Sequence, residues 1–576
     1  MGSGPAPAPA RARGWRWLSA VLGLLVLGPV FAGLIGVILP AFGYLPPLGA
    51  RGLTLDIITT LVDEPGFWRS VLVSGVTGLV ATALSVVLTA SILAATFGSA
   101  VLRLVERVLA PILSVPHAAA ALGFVFLFAP SGFVLRLISP SLTGWTAPPD
   151  LLLIQDPWGL ALIAALTIKE TPFLFLMALA ALVQVRAQEH VALARTLGYG
   201  RLAAFVFAVW PLLYRQLRLP VLAVLAFATS VVDMALILGP TRPPTLGVRI
   251  ISWLQSADLN GWLLGSAAAL AMFVLVALVI AVWLLCEKGV GALFKLISAS
   301  GQRWPRDRTL RFALLVFAGV GVLVTFLGFG GLVVQSVAGF WPFPDVAPQS
   351  VSLSSWRTRL PMAGDVLRQT LIVAMGATAL ALPVAVAFLE AERRGVRVWW
   401  LIYTPLIVPQ VAFVFGLDIL AISAGITPGL GAVTLTHALF ALPYALIALS
   451  GPWAALDPRF EAIAASLGKG PLTRLVRVRL ALLAQPLAVA AALCVAVSVG
   501  LYVPTQVIGG GRVTTVTTEA VAASASGDRR LIGLFATLQL VLPFIAFTVA
   551  RGVPRLAKAA RGLFRHTGAA VVRQRP

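Results

Sequence analysis

Again and again along this chain the residues stay apolar for about the 20 positions that a helix needs to cross a bilayer. That recurrence limits the fold more than any motif does. Inside hydrocarbon a segment must satisfy its own backbone N–H and C=O groups, and a helix does so within itself. The runs lie near 18–40, 67–97, 108–129, 158–184, 219–240 and 262–286, then near 310–335, 367–390, 398–422, 430–455, 481–508 and 531–550. With 59% of its 576 residues hydrophobic and 11% charged, the chain cannot cover its apolar surface as a soluble globule. The predicted class is an all-α polytopic membrane protein of about twelve transmembrane helices.

The formal net charge of +22 would suggest nucleic acid in a soluble domain. Here no basic domain stands free of the membrane, so no nucleic-acid partner is expected and the lipid bilayer is the surrounding. The Lys and Arg gather in alternate short loops: Arg103 and Arg107; Arg186, Arg195, Arg201, Arg215 and Arg218; Lys288 to Arg311; Arg393, Arg394 and Arg397; Arg459 to Arg479; and Arg551 to Arg575. Asp56, Asp63, Glu64, Asp150, Asp156, Asp345 and Asp528 fall in the opposite loops. The positive-inside bias therefore puts both termini in the cytoplasm. The first run follows Arg11, Arg13 and Arg16 and is long enough to span, which predicts a retained anchor. Cys286 and Cys494 have no metal-type spacing and read as small core residues.

Two of the basic loops are alike. One holds Glu189-His190-Val191-Ala192-Leu193-Ala194-Arg195-Thr196-Leu197-Gly198, the other Glu461-Ala462-Ile463-Ala464-Ala465-Ser466-Leu467-Gly468. Ala192, Ala194, Ala462, Ala464 and Ala465 favour a short helix with a face that another protein can approach closely. Gly198 and Gly468 suit the left-handed residue that ends a helix. Arg201 to Val209 then leads to Trp210-Pro211, where Pro211 can open the next helical turn. An interfacial anchor helix would have a similar composition, but it gives no reason for two such loops at matched places. The offset that takes Gly198 to Gly468 also takes Leu238-Gly239 to Ile508-Gly509 and Leu246 to Val516. This shared register predicts a cytoplasmic tail 1–17, a first repeat 18–286 with its loop at 186–219, and a basic linker 287–309. A second repeat follows at 310–550 with its loop at 457–486, then a basic tail 551–576. Both repeats enter in the same sense, so they are parallel repeats with a substrate path between them.

The order Glu-Ala-Ala, three residues, Gly, then an apolar-Leu-Pro about a dozen residues on, resembles the EAA loop of permease subunits of binding-protein-dependent ABC importers. Gly198 with Trp210-Pro211, and Glu461-Ala462 with Leu467-Gly468, carry the resemblance. It extends over nearly the whole chain as two fused permease domains of the type I importer fold, similar to the ferric-iron, thiamine and phosphonate group. The resemblance implies a permease of the bacterial inner membrane that couples to an ABC ATPase subunit dimer through Glu189, Ala192, Ala194, Gly198 and Pro211 in the first loop, and through Glu461, Ala462, Ala465 and Gly468 in the second. It also implies a periplasmic binding protein that delivers the substrate. The chain departs from the pattern twice. Val191 stands where the first loop should have its acid, with Glu189 two positions further from the Gly, and Ala481 stands where the second loop should have its Pro.

ATP and Mg are expected on the partner ATPase, because this chain carries no phosphate loop. Leu467-Gly468-Lys469-Gly470 lacks both the earlier Gly and the Ser or Thr after the Lys. The four His are scattered and no nucleophile elbow or zinc motif occurs, so the chain is not expected to be an enzyme. An ion-coupled secondary transporter could also use a duplicated bundle, but it would not require the paired loops.

Ionisable residues within spans are costly and mark function or tight packing. Asp233, Asp418 and His437 are such residues, as are Lys169 and Glu170, which point about 100° apart on a helix and are expected to find separate neighbours. His117 follows Pro116, and Gln410 follows Pro409 at the corresponding place. A Pro-broken helix frees carbonyls toward a cavity, so His117 and Gln410 head the expected gate or path residues, with Asp233, Asp418 and His437.

Overall fold

A computed structural model describes residues 9–256, 258, 260–394 and 403–572. Residues 1–8 of the N-terminal tail, 573–576 of the C-terminal tail, and Arg397 with the start of the run near 398–422 lie outside the described residues. The architecture is all-α and polytopic: among the described residues, ten helices are long and apolar enough to cross a membrane. A further pair, Pro471–Leu482 with Ala484–Gly500, passes only as one span bent by 78°.

The principal helices of the first half are α1 (Pro9–Ala41), α2 (Phe67–Thr96), α3 (Ala100–Leu113), α4 (His117–Phe128), α5 (Leu160–Leu182), α6 (Ala187–Thr196), α7 (Trp210–Ser230), α8 (Asp233–Leu238), α9 (Leu246–Leu254) and α10 (Asn260–Ala299). Those of the second are α11 (Arg308–Val337), α12 (Ser354–Arg393), α13 (Thr404–Ile407), α14 (Gln410–Ser423), α15 (Leu430–Ala455), α16 (Arg459–Ser466), α17 (Ala484–Gly500), α18 (Val503–Gly509), α19 (Val516–Ser526) and α20 (Arg529–Val572). Starts recur in the register that relates Gly198 to Gly468: α5 and α15, Arg201 and Pro471, Phe205 and Leu475, α8 and α18, α9 and α19.

Four of the expected runs are interrupted, two of them at a proline. The run near 108–129 divides at Ser114–Pro116, because proline lacks the N–H that would continue α3 into α4. Pro409 makes the same division between α13 and α14. The run near 219–240 begins earlier, in the loop itself, and breaks at Val231–Val232 before α8. Its counterpart near 481–508 breaks at Leu501–Tyr502 before α18. The linker expected at 287–309 is helical as far as Ala299, leaving Ser300–Asp307 as the irregular segment.

The first helix of each half reaches across to the other half as well as lying against its own. α1 lies along α14 and α10, and α11 lies along α4, α2 and α20. Small residues permit these crossings. A Cβ added at Gly33 or Gly36 would strike the backbone of Phe413 or Gly416, and one at Gly416 would strike Gly33. Gly123 and Gly328 face each other with only 3.2 Å from an added Cβ to the opposing carbonyl carbon. One apolar core runs through both halves, from Leu22 on α1 to Phe535 on α20.

Candidate functional site

Two places bring chemistry-bearing residues together: the paired loops and a cavity between the halves. In the first loop α6 ends at Thr196, and Gly198 turns the chain at φ +90°. A helix resumes at Arg201, passes through a π-helical stretch over Phe205–Val209 and continues as α7 with Pro211 in its first turn. The second loop repeats this with α16, Gly468 at φ +73°, a helix from Pro471 and a π-helical stretch over Leu475–Arg479. Such stretches widen a helix by one residue per turn and often occur where function requires an altered side-chain direction.

The loops differ in what holds them. The Glu189 carboxylate is exposed and reaches Arg186 only at 3.8 Å. The Glu461 carboxylate is largely buried between Arg479 (2.6 Å) and Arg393 (3.1 Å). Ala194 is buried, whereas Ala192, Ala462 and Ala465 are exposed with Gly198, Gly468 and Pro211. The first loop is clasped by the linker segment Ser300–Asp307. Gly200 N–H donates to Arg303 O at 3.2 Å, and Trp304 stacks on Phe207 with ring centres 5.3 Å apart and planes 10° from parallel. Arg303 also donates to Leu197 O and lies 5.5 Å from the Tyr199 ring, while Asp307 accepts from the Leu202 N–H. Sequence reasoning passed over this clasp. Its one signal is a tryptophan, Trp304, in an otherwise basic stretch.

The cavity, of about 150 Å³, lies where the Pro116 and Pro409 breaks meet. His117, Lys169, Glu170 and Asp233 line it from the first half; Gln410, Tyr444 and Tyr502 line it from the second. His117 Nε2 and Glu170 Oε1 share a hydrogen bond of 2.9 Å, and the Phe227 ring lies 4.6 Å from the imidazole. The Lys169 ammonium donates to Leu113 O at 3.4 Å, a carbonyl beside the break between α3 and α4. Lys169, Glu170 and Asp233 are each less than a tenth exposed. Attraction among charges is strong in such surroundings, so mixed signs around one space offset the cost of burying each. Lys169 and Glu170 thus find separate neighbours, as expected; what is corrected is that their directions on the helix would keep them from facing one spot, since both border this cavity. Tyr444 and Tyr502 were not anticipated; Tyr502 sits in the α17–α18 break, where Val232 sits in the α7–α8 break.

Asp418 and His437 do not line the cavity. His437 is fully buried and satisfied by the Ser498 and Thr505 hydroxyls at 2.8 and 2.9 Å. Asp418 is buried on α14.

No protein-family model matches the chain. Over 439 residues it is 29% identical to the inner membrane ABC transporter permease protein YnjC of Escherichia coli (strain K12), a stretch covering 76% of this chain and 78% of that protein. Across three quarters of its length, the chain is thus similar to an ABC transporter permease of an inner membrane.

Proposed function

We propose that this chain is the permease of an ATP-driven importer of the bacterial inner membrane, a transport component and not itself an enzyme. The similarity to YnjC supports the coarser statement, a multi-pass inner-membrane ABC transporter permease. The finer statement rests on one observation: at equivalent places in the two halves, and in one register, two loops share the end of a short helix (Thr196 and Ser466), a left-handed glycine (Gly198 and Gly468) and a π-helical stretch (Phe205–Val209 and Leu475–Arg479). Each loop presents its short helix to one subunit of an ATPase dimer, which holds the ATP and Mg. The two repeats, 18–286 and 310–550, enclose the substrate path, and His117, Gln410 and Asp233 line it. A binding protein delivers the substrate from the other side, and both termini lie in the cytoplasm.

The test is purification of the chain from its native host with whatever ATPase accompanies it. Wild type is expected to retain an ABC ATPase, and the double substitution Gly198→Asp with Gly468→Asp to lose most of it while still inserting in the membrane. A side chain at these φ values strains the turn, and a charge obstructs the close approach. Full retention by the double variant removes the loops from the coupling role.

A further inference from the structure

The acid of the second loop is engaged within this chain. Glu461 is the first-turn acid of α16. Its carboxylate accepts from Arg479 Nε at 2.6 Å and meets Arg393 Nη1 at 3.1 Å. Arg479 closes the π-helical stretch Leu475–Arg479, is 3% exposed, and lies 4.9 Å from the Trp453 ring. Arg393 ends α12 and also holds Glu390 at 2.7 Å. One carboxylate therefore fastens α16 to the helix that follows it and to the end of a long membrane helix.

The first loop has neither charge. In the register that pairs Gly198 with Gly468, Val191 stands in place of Glu461 and Val209 in place of Arg479. Both valines are buried in one apolar cluster with Ala194 and Phe205. The exchange involves both members at once. That is what the energetics of buried ion pairs favour: replacing a whole pair by apolar groups is close to neutral, whereas removing one partner strands a charge away from water.

We infer that Glu461 and Arg479 are positioning residues: their ion pair locks the α16 coupling helix to the bundle, as Val191 and Val209 lock α6, so Glu461 acts on coupling by holding its helix and not by touching the ATPase. The part concerning the ATPase rests on the permease reading; the lock itself does not. Loop two is thus held by a charge network and loop one by apolar packing supplemented by the Ser300–Asp307 clasp.

The full-length chain in lipid nanodiscs serves for the first measurement, amide hydrogen exchange. Glu461→Leu is expected to speed exchange over residues 459–470 about tenfold. Glu461→Leu with Arg479→Met is expected to return it to within about threefold of wild type. Methionine is chosen because Arg479 also covers Trp453, a place where loop one has only Val183. Residues 187–200 should be unchanged in both variants. Equal exchange in the single and double variants overturns the lock. The second measurement is ATPase retention and hydrolysis by the purified complex. Glu461→Gln should keep the ATPase at wild-type yield and lower hydrolysis several-fold, and the double variant should restore it. Loss of the ATPase from Glu461→Gln that the double variant does not repair shows a direct contact and overturns the inference. A wild-type chain that carries no ATPase sinks the permease reading instead and leaves the exchange result to decide the lock.

Discussion

Gly416 and Gly468 show how differently two glycines can be needed. At Gly468 the φ of +73° is the whole requirement, for nothing lies within 4 Å of an added Cβ. Gly468→Ala should therefore cost only the left-handed strain, about 1–2 kcal/mol. At Gly416 an added Cβ meets the backbone of α1, which cannot rotate away, so Gly416→Val should cost about 3 kcal/mol. Thermal unfolding in one detergent ranks the two, and a reversed order removes the close crossing of α1 and α14. The turn glycines were legible because a helix end followed by a basic stretch has few other ways to reverse. The crossing glycines were not, since a glycine in an apolar run looks the same whether it faces lipid or another backbone. Polar residues within spans divide likewise. Asp233 and His437 read alike in sequence, yet one borders the cavity and the other is fully paired with Ser498 and Thr505.

Single elements are tied down at their ends, and these ties make separate predictions. Asp528 caps α20 by accepting from the Arg530 and Leu531 N–H groups at 3.1 Å, and Arg359 donates to its other oxygen at 2.6 Å. The hydrogen bond from Arg359 holds the Asp528 carboxyl below the usual carboxylate range. A lowered folded-state pKa stabilises the fold above the ordinary aspartate pKa, about 3.9, and that contribution fades as pH falls through the lowered value. The melting temperature should thus drop on acidification from about pH 5 to 3, and Arg359→Met should flatten part of that drop; an unchanged slope denies the tie. On the opposite face, Trp304→Ala should free the Ser300–Asp307 segment from the first loop. Trypsin should then cut at Arg303 and Arg306 at least several-fold faster, in proportion to the opened population, whereas an unchanged rate shows that the stacking on Phe207 does not hold the segment. Helix positions along these elements were largely legible from apolar run length. The breaks after Ser230 and Gly500 were not, because their residues Val231, Val232, Leu501 and Tyr502 continue the apolar pattern. The unwinding there depends on what packs around it.

Taken whole, the molecule places three of its buried ionisable groups, Lys169, Glu170 and Asp233, where the two halves meet, on the proposed path. A cysteine at His117 or Gln410, in a chain whose Cys286 and Cys494 have been replaced, should react with a small membrane-impermeant thiol reagent. Its rate should change between the nucleotide-free complex and one with trapped nucleotide, as alternating access opens the space to one side at a time. Equal rates in the two states remove both residues from a gate. The proline ahead of each, Pro116 and Pro409, made the pairing of His117 with Gln410 legible. Sequence could not reveal that Lys169, Glu170, Tyr444 and Tyr502 join them: equivalent positions of the two repeats line the cavity, as Glu170 with Phe440 and Val232 with Tyr502, but the residues at them differ in kind and so do not announce each other.

The exchange of first helices sets an order of events during synthesis. Gly33 and Gly36 find their seat only when Phe413 and Gly416 have been made, far along the chain. At the usual pace of translation that delay is roughly 20 to 75 seconds, during which α1 stays in the bilayer without α14. A chain stopped after α10 would be left in the same condition, with a groove along α4 where α11 belongs. Such a fragment should be an orphan that membrane quality control removes, and the two halves, expressed as separate polypeptides, should accumulate only when made together.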